Sequence, residues 1–238
     1  MKITFMGGTE TVTGSKFLVE TSTTKVLIDC GLFQGFKWLR ERNWQPLPLD
    51  IDSLDAVILT HAHLDHSGYI PALYKQGFRG SVFTHHASKA LCQILLADSG
   101  HIQEEDARYY SRHKLGKHAH PEALYDRQTA EASMALFHSI EFDEAIEIGD
   151  IRFYLQPSGH ILGAASGDVG RFNDVLMKPP RPLPELDLLL MESTYGNRQH
   201  EDTDPLQRLS TIVNAVAKKG GTLLIPAFSV GRAQALQH

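Results

Sequence analysis

The segment from His61 to His66 constrains this chain more than any other feature of its sequence. It places His61, His63, Asp65 and His66 together, directly after the apolar run Ala56–Thr60. The run predicts a buried strand, and because extended residues two apart point the same way, His61 and His63 can face one side. Asp65 and His66 follow where a helix begins and can face a neighbouring point. Imidazole and carboxylate groups suit zinc, with manganese or iron as alternatives.

Glycine-rich turns further along the chain carry two more candidate ligands. His160 lies in Ser158–Gly163, and Asp168 lies in Ser166-Gly167-Asp168. Glycine lets the backbone approach a ligand closely, so His160 can complete the first metal site and Asp168 can bridge two metals. Asp29 ends an apolar strand, where its carboxylate can accept the second ring N–H of a ligand histidine. A structural histidine and ordinary turn aspartates are the alternatives.

Composition places the chain among globular proteins. It has 238 residues, of which 42% are hydrophobic and 21% charged, enough for one large domain or one domain plus a fragment. The net charge of -5 gives no general basic footprint for nucleic acid. Two cysteines without a Cys-x-x-Cys pair, no signal-like start and no long apolar run predict a cytoplasmic protein without a membrane contact.

Short apolar runs alternate with helical patterns, which predicts an α/β fold with mixed sheets. The predicted strands are Lys2–Phe5, Lys16–Glu20, Lys25–Asp29, Ala56–Thr60, Ser81–Thr84, Ala145–Ile148, Ile151–Gln156, Leu186–Met191 and Thr222–Pro226. The predicted helices are Ser67–Gln76, His86–Ala97, Arg127–Phe137, Asp204–Lys219 and a helix from Val230 onward. The polar stretch 98–123 predicts a helix and a surface excursion whose His and Arg residues are solvated, with an RNA-contacting patch as the alternative.

Longer motifs make a family resemblance specific. They are Gly7–Ser15, Asp29–Gly35, Gly159–Ala165, Met191–Arg198 and Ile225–Gln234, in addition to the His-x-His-x-Asp-His segment. With them the sequence resembles the metallo-β-lactamase superfamily, and within it the β-CASP branch of RNA-processing nucleases. The resemblance implies an αββα four-layer sandwich with two mixed β-sheets. It divides the chain into a metallo-β-lactamase domain at 1–197 and the start of a truncated β-CASP domain at 198–238.

The resemblance also implies a site and a reaction. Two divalent metal ions, zinc first among the candidates, would be held by His61, His63 and His160 on one side, by Asp65 and His66 on the other, and by Asp168 between them. RNA phosphodiester bonds would be cleaved by a metal-bound hydroxide, in endonuclease or exonuclease fashion. Asp65 and Asp168 would orient or deprotonate that water. Glu192 matches an acidic residue of the branch and would support a ligand or the catalytic histidine.

Two departures from the branch bear on this prediction. In relatives, on the order of a dozen or more residues separate the turn that matches His160 from the turn that matches Ser166, and these residues form a pair of strands. Either the pair is lost here, or the printed sequence lacks this stretch, which we favour because a sheet edge would otherwise stay unpaired. If the pair is lost, Asp168 is not expected to reach the metals. Relatives also continue for about another domain, which supplies a catalytic histidine and a last metal ligand. Neither His200 nor His238 lies in a matching motif, so we expect a fragment with an incomplete second metal site.

Two other functions fit the metal motif. One is an ester or thioester hydrolase of the same fold, and the other is a non-catalytic scaffold in an RNA-processing complex. The motifs Glu192–Gly196 and Pro226–Phe228 favour the nuclease. His85 and His86 are expected to cap or pack a helix, with a place in the cleft as the alternative. The oligomeric state is open, with a homo-oligomer as one option.

Overall fold

A computed structural model describes residues 1–114, 122–174, 176–199, 204–228 and 230–237. Within the polar stretch 98–123, His118 and His120 lie outside this part of the chain, as do His200 and His238. The described chain divides into two compact units, Met1–Leu189 and Leu190–His238. The division predicted at residue 197 stays a prediction. Within the described residues, none of the helices combines the length and apolar character needed to cross a bilayer.

In the part of the chain that the structure describes, eight strands form a six-stranded sheet and a separate hairpin. The strands are β1 Lys2–Gly7, β2 Lys16–Glu20, β3 Lys25–Ile28, β4 Ala56–Ile58, β5 Ser81–His85, β6 Phe137–Ile140, β7 Ile146–Ile148 and β8 Ile151–Phe153. The large sheet has the order β1-β2-β3-β4-β5-β6. The β1–β2 and β2–β3 pairs are antiparallel, whereas β3 to β6 run parallel. The first sheet is therefore mixed, and the second is the antiparallel hairpin β7–β8.

Seven helices accompany the strands in the described residues. They are α1 Lys37–Arg40, α2 Leu64–Ser67, α3 Ile70–Lys75, α4 His86–His113, α5 Arg127–Ser133, α6 Pro205–Lys218 and α7 Arg232–Gln237. Short 3-10 turns cover Glu41–Trp44, Ile51–Ser53 and Met134–Leu136. Asp204 caps α6 by accepting hydrogen bonds from the first turn, the usual role of an aspartate at that place.

The core lies on both faces of the parallel strands. Val26, Ala56 and Ile58 pack with the hairpin on one face. Leu27 and Val57 alternate with them and are fully buried, as expected for strands covered on two sides. Helix α4 contacts β5 and β6. The α/β class with a mixed sheet and a second sheet is confirmed.

Several sequence-based boundaries were wrong. The segments Leu186–Met191 and Thr222–Pro226 are not strands, and their apolar residues are largely exposed. A strand needs a neighbour for its backbone groups, and neither segment has one among the described residues. The helix predicted over Arg127–Phe137 ends at Ser133, and Phe137 begins β6 instead, because its side chain fills the core beside β5. The Ser67–Gln76 helix begins earlier, at Leu64, and is two helices.

Candidate metal centre

The His61–His66 segment leaves the sheet at the carboxyl end of β4, as the sequence predicts. The backbone N–H of Leu59 still bonds the carbonyl of Phe83, and the chain then turns into α2. Ser67 Oγ donates to the carbonyl of Ala62 at 2.9 Å and fixes the turn. Gly31 lies so close beneath that a Cβ there would stand 1.6 Å from the carbonyl oxygen of Asp65. Only glycine allows the two segments to meet.

Three histidine rings converge at this place. His61 Nε2 lies 3.1 Å from His63 Nδ1, and His160 Nε2 lies 3.2 Å from the same atom. Donors around a tetrahedral ion at 2.0–2.1 Å stand about 3.3 Å apart. The spacing of the three nitrogens therefore fits one metal ion, and His61, His63 and His160 form a group able to bind one.

A hydrogen-bond chain sets the tautomer of His61. Thr60 Oγ1 donates to Asp29 Oδ2 at 2.9 Å, and the same hydroxyl oxygen lies 3.0 Å from His61 Nδ1. Because the hydroxyl hydrogen points to Asp29, the imidazole Nδ1 carries the hydrogen of the second bond, which leaves the Nε2 lone pair for a metal. Burial, together with the neighbouring His66, His63 and His160, lowers the pKa of His61 well below its usual value. The ring is therefore neutral and able to act as a metal ligand.

A second group forms around His66. Its Nδ1 bonds Asp29 Oδ2 at 2.7 Å, and its Nε2 lies 3.7 Å from Asp65 Oδ2 and 3.5 Å from Asp168 Oδ1. His61, His66 and Asp168 make a second set of donors able to hold an ion. Burial alone would lower the pKa of His66, but Asp29, Asp65 and Asp168 outweigh it and raise the pKa to about 9. The carboxylates thus supply negative charge where a cation would bind.

The sequence of this chain was compared with protein families and with known proteins. The metallo-beta-lactamase superfamily matches residues 11–78. Ribonuclease TTHA0252 of Thermus thermophilus is 33% identical over all of this chain and 54% of its own length. The chain belongs to the metallo-β-lactamase superfamily, in its β-CASP branch.

A second curated relative and one solved structure are also similar to this chain. Cleavage and polyadenylation specificity factor 73 of Drosophila melanogaster is 31% identical over 99% of this chain and 35% of its own length. The chain spans about half or less of the length of these relatives. In three dimensions, 68% of the chain matches 52% of BJP-1, a subclass B3 metallo-beta-lactamase of Bradyrhizobium japonicum, at a TM-score of 0.41 and 16% identity.

Asp168 reaches the site even though the strand pair expected of the superfamily is missing between Ala165 and Ser166. Ala165 N bonds the carbonyl of Thr60 at 3.0 Å, and Ser166 adopts a positive φ of 36°. The chain then turns back so that Asp168 Oδ2 lies 3.5 Å from His160 Nε2. The expectation that Asp168 would not reach the site without the strand pair is wrong. The bond between Ala165 and Thr60 holds the turn of Asp168 beside the His61–His66 segment.

Asp29 is hydrogen-bonded to both groups of candidate ligands, to His66 directly and to His61 through Thr60. It is 2% exposed, and its carboxylate accepts hydrogen bonds from the backbone and hydroxyl of Thr60 as well as from His66. Its φ is +59°, a left-handed conformation that only a few residue types tolerate. The next backbone groups are held too, since Cys30 N bonds the carbonyl of His66 and Gly31 N bonds that of Ser15.

Lys16 braces the same turn and was missed by sequence reasoning. Its ammonium donates to the carbonyl of Gly31 and lies 4.6 Å from the ring centre of Phe33 and 4.8 Å from that of Tyr69. Burial lowers the pKa of Lys16 to about 8, with Cys30 opposing and Arg42 adding to the shift. The alternation of residues along β2 could have indicated that Lys16 is buried, because it lies on the same face of the strand as the buried Leu18.

Glu192 was predicted from the sequence to support a ligand or the catalytic histidine. It belongs to the second unit, is exposed, and accepts a hydrogen bond from the backbone of Thr194 at 2.9 Å. Its supporting role stays a prediction. His85 does cap α4, as expected, by accepting a bond from Ala87 N at 3.3 Å. His86 is exposed at the start of the same helix.

Proposed function

We propose that the chain is the metal-binding part of a hydrolase that cleaves RNA phosphodiester bonds. The observation that carries the proposal is the convergence of three ring nitrogens on one point, with two carboxylates beside the next ring. Ribonuclease TTHA0252 is a ribonuclease by name, and it matches this chain from end to end. That relationship favours RNA over the esters and thioesters cleaved on the same fold.

Two ions are proposed, with zinc as the first candidate and manganese or iron as alternatives. His61, His63 and His160 would hold one ion, Asp65 and His66 the other, and Asp168 would lie between them. Divalent ions at such sites stabilise charge on the phosphoryl oxygens and make water reactive at neutral pH. The neutral state of His61 and the tautomers set by Asp29 suit this donor set.

The protein groups have separate roles in the proposed reaction. Asp65 and Asp168 orient the attacking water and accept its proton, since both carboxylates lie beside His66. Asp29 keeps the rings of His61 and His66 in place without touching the substrate. Protonation of the leaving oxygen falls to a group outside this set.

A side-by-side assay tests the proposal. The complete protein that contains this chain is offered linear RNA, circular RNA, single-stranded DNA and a thioester, before and after metal removal by a chelator and refilling with zinc. We expect metal-dependent cleavage of RNA, abolished in His63→Ala and kept in His101→Ala, which alters an exposed histidine on α4. Cleavage of circular RNA would identify an endonuclease.

Other outcomes select the rival functions. Thioester turnover without RNA cleavage would replace the proposal by the small-molecule hydrolase. Metal binding without any turnover would favour the scaffold in an RNA-processing complex. A cytoplasmic location is part of the same proposal, and it fits two free, buried cysteines.

A further inference from the structure

Outside the candidate metal centre, another cluster of histidine and glutamate side chains lies at the ends of strands β5 and β6. His85 is the last residue of β5, His86 begins α4, and Glu141 follows the end of β6. The parallel register pairs His85 with Ile140, so Glu141 comes directly beside the two histidines. The sheet, more than local sequence, brings these groups together.

The distances within this cluster suit one cation. His86 Nδ1 lies 3.1 Å from Glu141 Oε1, and His85 Nε2 lies 3.9 Å from Glu141 Oε2. Donor atoms of the three residues all lie within 4.8 Å of one another. The separations bracket the roughly 3.3 Å between donors of a tetrahedral zinc ion. Two imidazoles and a carboxylate are also the ligand types that catalytic zinc sites use.

The cluster has a rigid side and an open side. The ring of His85 stacks on Phe142 with centres 4.0 Å apart and planes 14° apart, and its side chain is buried. His86 and Glu141 are exposed, with side-chain exposures of 57% and 69%. An ion held here would therefore keep coordination positions for water or for an outside ligand.

Neighbouring charges favour a weak site over a strong one. Burial and His86 lower the pKa of His85 while Glu141 raises it, and the net shift is downward, so the ring is neutral. Its Nδ1 accepts the Ala87 N–H, which puts the ring hydrogen on Nε2. A cation at Nε2 must move that hydrogen and break the capping bond. The carboxylate of Glu144 is already used, since it accepts the N–H of Glu141 at 2.8 Å.

The cluster opens on the same sheet edge as the candidate metal centre. Strands β4, β5 and β6 run parallel, so the residues after each of them meet at one edge. The start of α4 also contacts the turn that carries His160, because Ser88 Oγ donates to the carbonyl of Gly163 at 2.8 Å. The segments that carry His85 and His160 are thus in direct contact.

We propose that His85, His86 and Glu141 bind a further divalent transition-metal ion, of the zinc class, more weakly than the candidate metal centre. The ion would add positive charge to the edge of the sheet, which favours an anionic substrate. That consequence rests on the proposed function, whereas the binding itself does not.

Zinc titration of the metal-depleted chain against a chelating indicator tests the site. The variants are His86→Ala and Glu141→Gln, with His101→Ala as the matched control. We expect the weakest zinc equivalent to be lost, or to bind about tenfold more weakly or worse, in the first two variants only. His63→Ala should lose tight zinc and keep the weak equivalent.

Unchanged zinc curves in His86→Ala and Glu141→Gln would overturn this site. So would the absence of any weak equivalent in the unaltered chain. Glu141→Gln changes an exposed group by one atom, so a folding defect cannot explain its result, and circular dichroism checks both variants. If His63→Ala instead kept all its tight zinc, the proposed function would fail and the weak site would stand.

Discussion

Two acidic residues were predicted to support the metal ligands, and their surroundings differ sharply. Asp29 is buried at the end of β3 and bonds Thr60 and His66. Glu192 is exposed in a segment without helix or strand, and its carboxylate bonds the backbone of its own turn. The difference teaches that the strand ends around Asp29 fix both its backbone and its partners, whereas Glu192 is held only by its own turn.

Replacing Asp29 by alanine should have the largest effect on stability and on zinc affinity. His66 Nδ1 and both Thr60 donors would lose their buried acceptor, and alanine is strained at a φ of +59°. We expect the free energy of unfolding to fall by about 3–5 kcal/mol, measured by urea denaturation. Zinc affinity of the folded variant should drop about 10- to 100-fold, because the rings of His61 and His66 lose their orientation.

Asp29→Asn is the control for that experiment. Asparagine tolerates a positive φ and keeps an acceptor oxygen, but it lacks the charge that faces His66. Its loss of stability should be clearly smaller than that of the alanine variant. Equal stability of Asp29→Ala and the unaltered chain would show that the turn does not depend on this carboxylate.

Lys16→Met should raise the stability of the fold moderately, whereas Asp29→Ala lowers it. A buried ammonium without a carboxylate partner among the described residues costs desolvation energy, whereas methionine fits between Phe33 and Tyr69 without charge. We expect the free energy of unfolding at pH 7 to rise by about 1–3 kcal/mol. A fall in stability would mean that the Lys16 bond to Gly31 outweighs the cost of burial.

The pH dependence sharpens this prediction. The pKa of Lys16 is lowered to about 8 in the folded chain, whereas the ordinary pKa of an exposed lysine is 10.5. Between these values the unfolded chain binds more protons, so the contribution of Lys16 to stability rises with pH. The advantage of Lys16→Met should therefore shrink from pH 8 toward pH 10. Cys30, with its pKa raised to about 12 by burial, acts oppositely, but it is present in both chains.

Glu192→Gln should have the smallest effect. The side chain is exposed and belongs to the second unit, so we expect its replacement to change the free energy of unfolding by no more than about 0.5 kcal/mol. Zinc stoichiometry should be unchanged as well. A loss of tight zinc in this variant would remove the contrast with Asp29.

The sequence predicted the site better than the outer parts of the fold. The residues from His61 to His66 could be predicted as candidate ligands because they follow a buried strand at short spacing. Part of what orients the rings comes from elsewhere, since the Asp29 carboxylate that bonds His66 lies at the end of another strand. Lys16 and Thr60 could not be assigned roles, because their partners come from segments brought together only by the sheet. For the same reason the His85–Glu141 contact depends on the β5–β6 register. Strand β6 was not predicted, and its first residue, Phe137, was assigned to the end of a helix.

Apolar runs were the least reliable signal. Leu186–Met191 and Thr222–Pro226 have the composition of buried strands, yet neither pairs with a strand in the described residues. Composition measures only the tendency of a side chain to be buried, whereas a strand also needs a partner for its backbone N–H and C=O groups. Ala56–Ile58 has the same character and becomes a strand because β3 and β5 lie on either side of it.

The central claim is that histidine and aspartate side chains, after β4 and in the Gly159–Asp168 turns, hold divalent ions. X-ray absorption at the zinc edge, on the chain loaded only with its tight zinc, tests this claim directly. The account predicts nitrogen and oxygen neighbours at about 2.0–2.1 Å with the outer-shell scattering of imidazole rings. Sulfur neighbours at about 2.3 Å, or no imidazole signal, would contradict it.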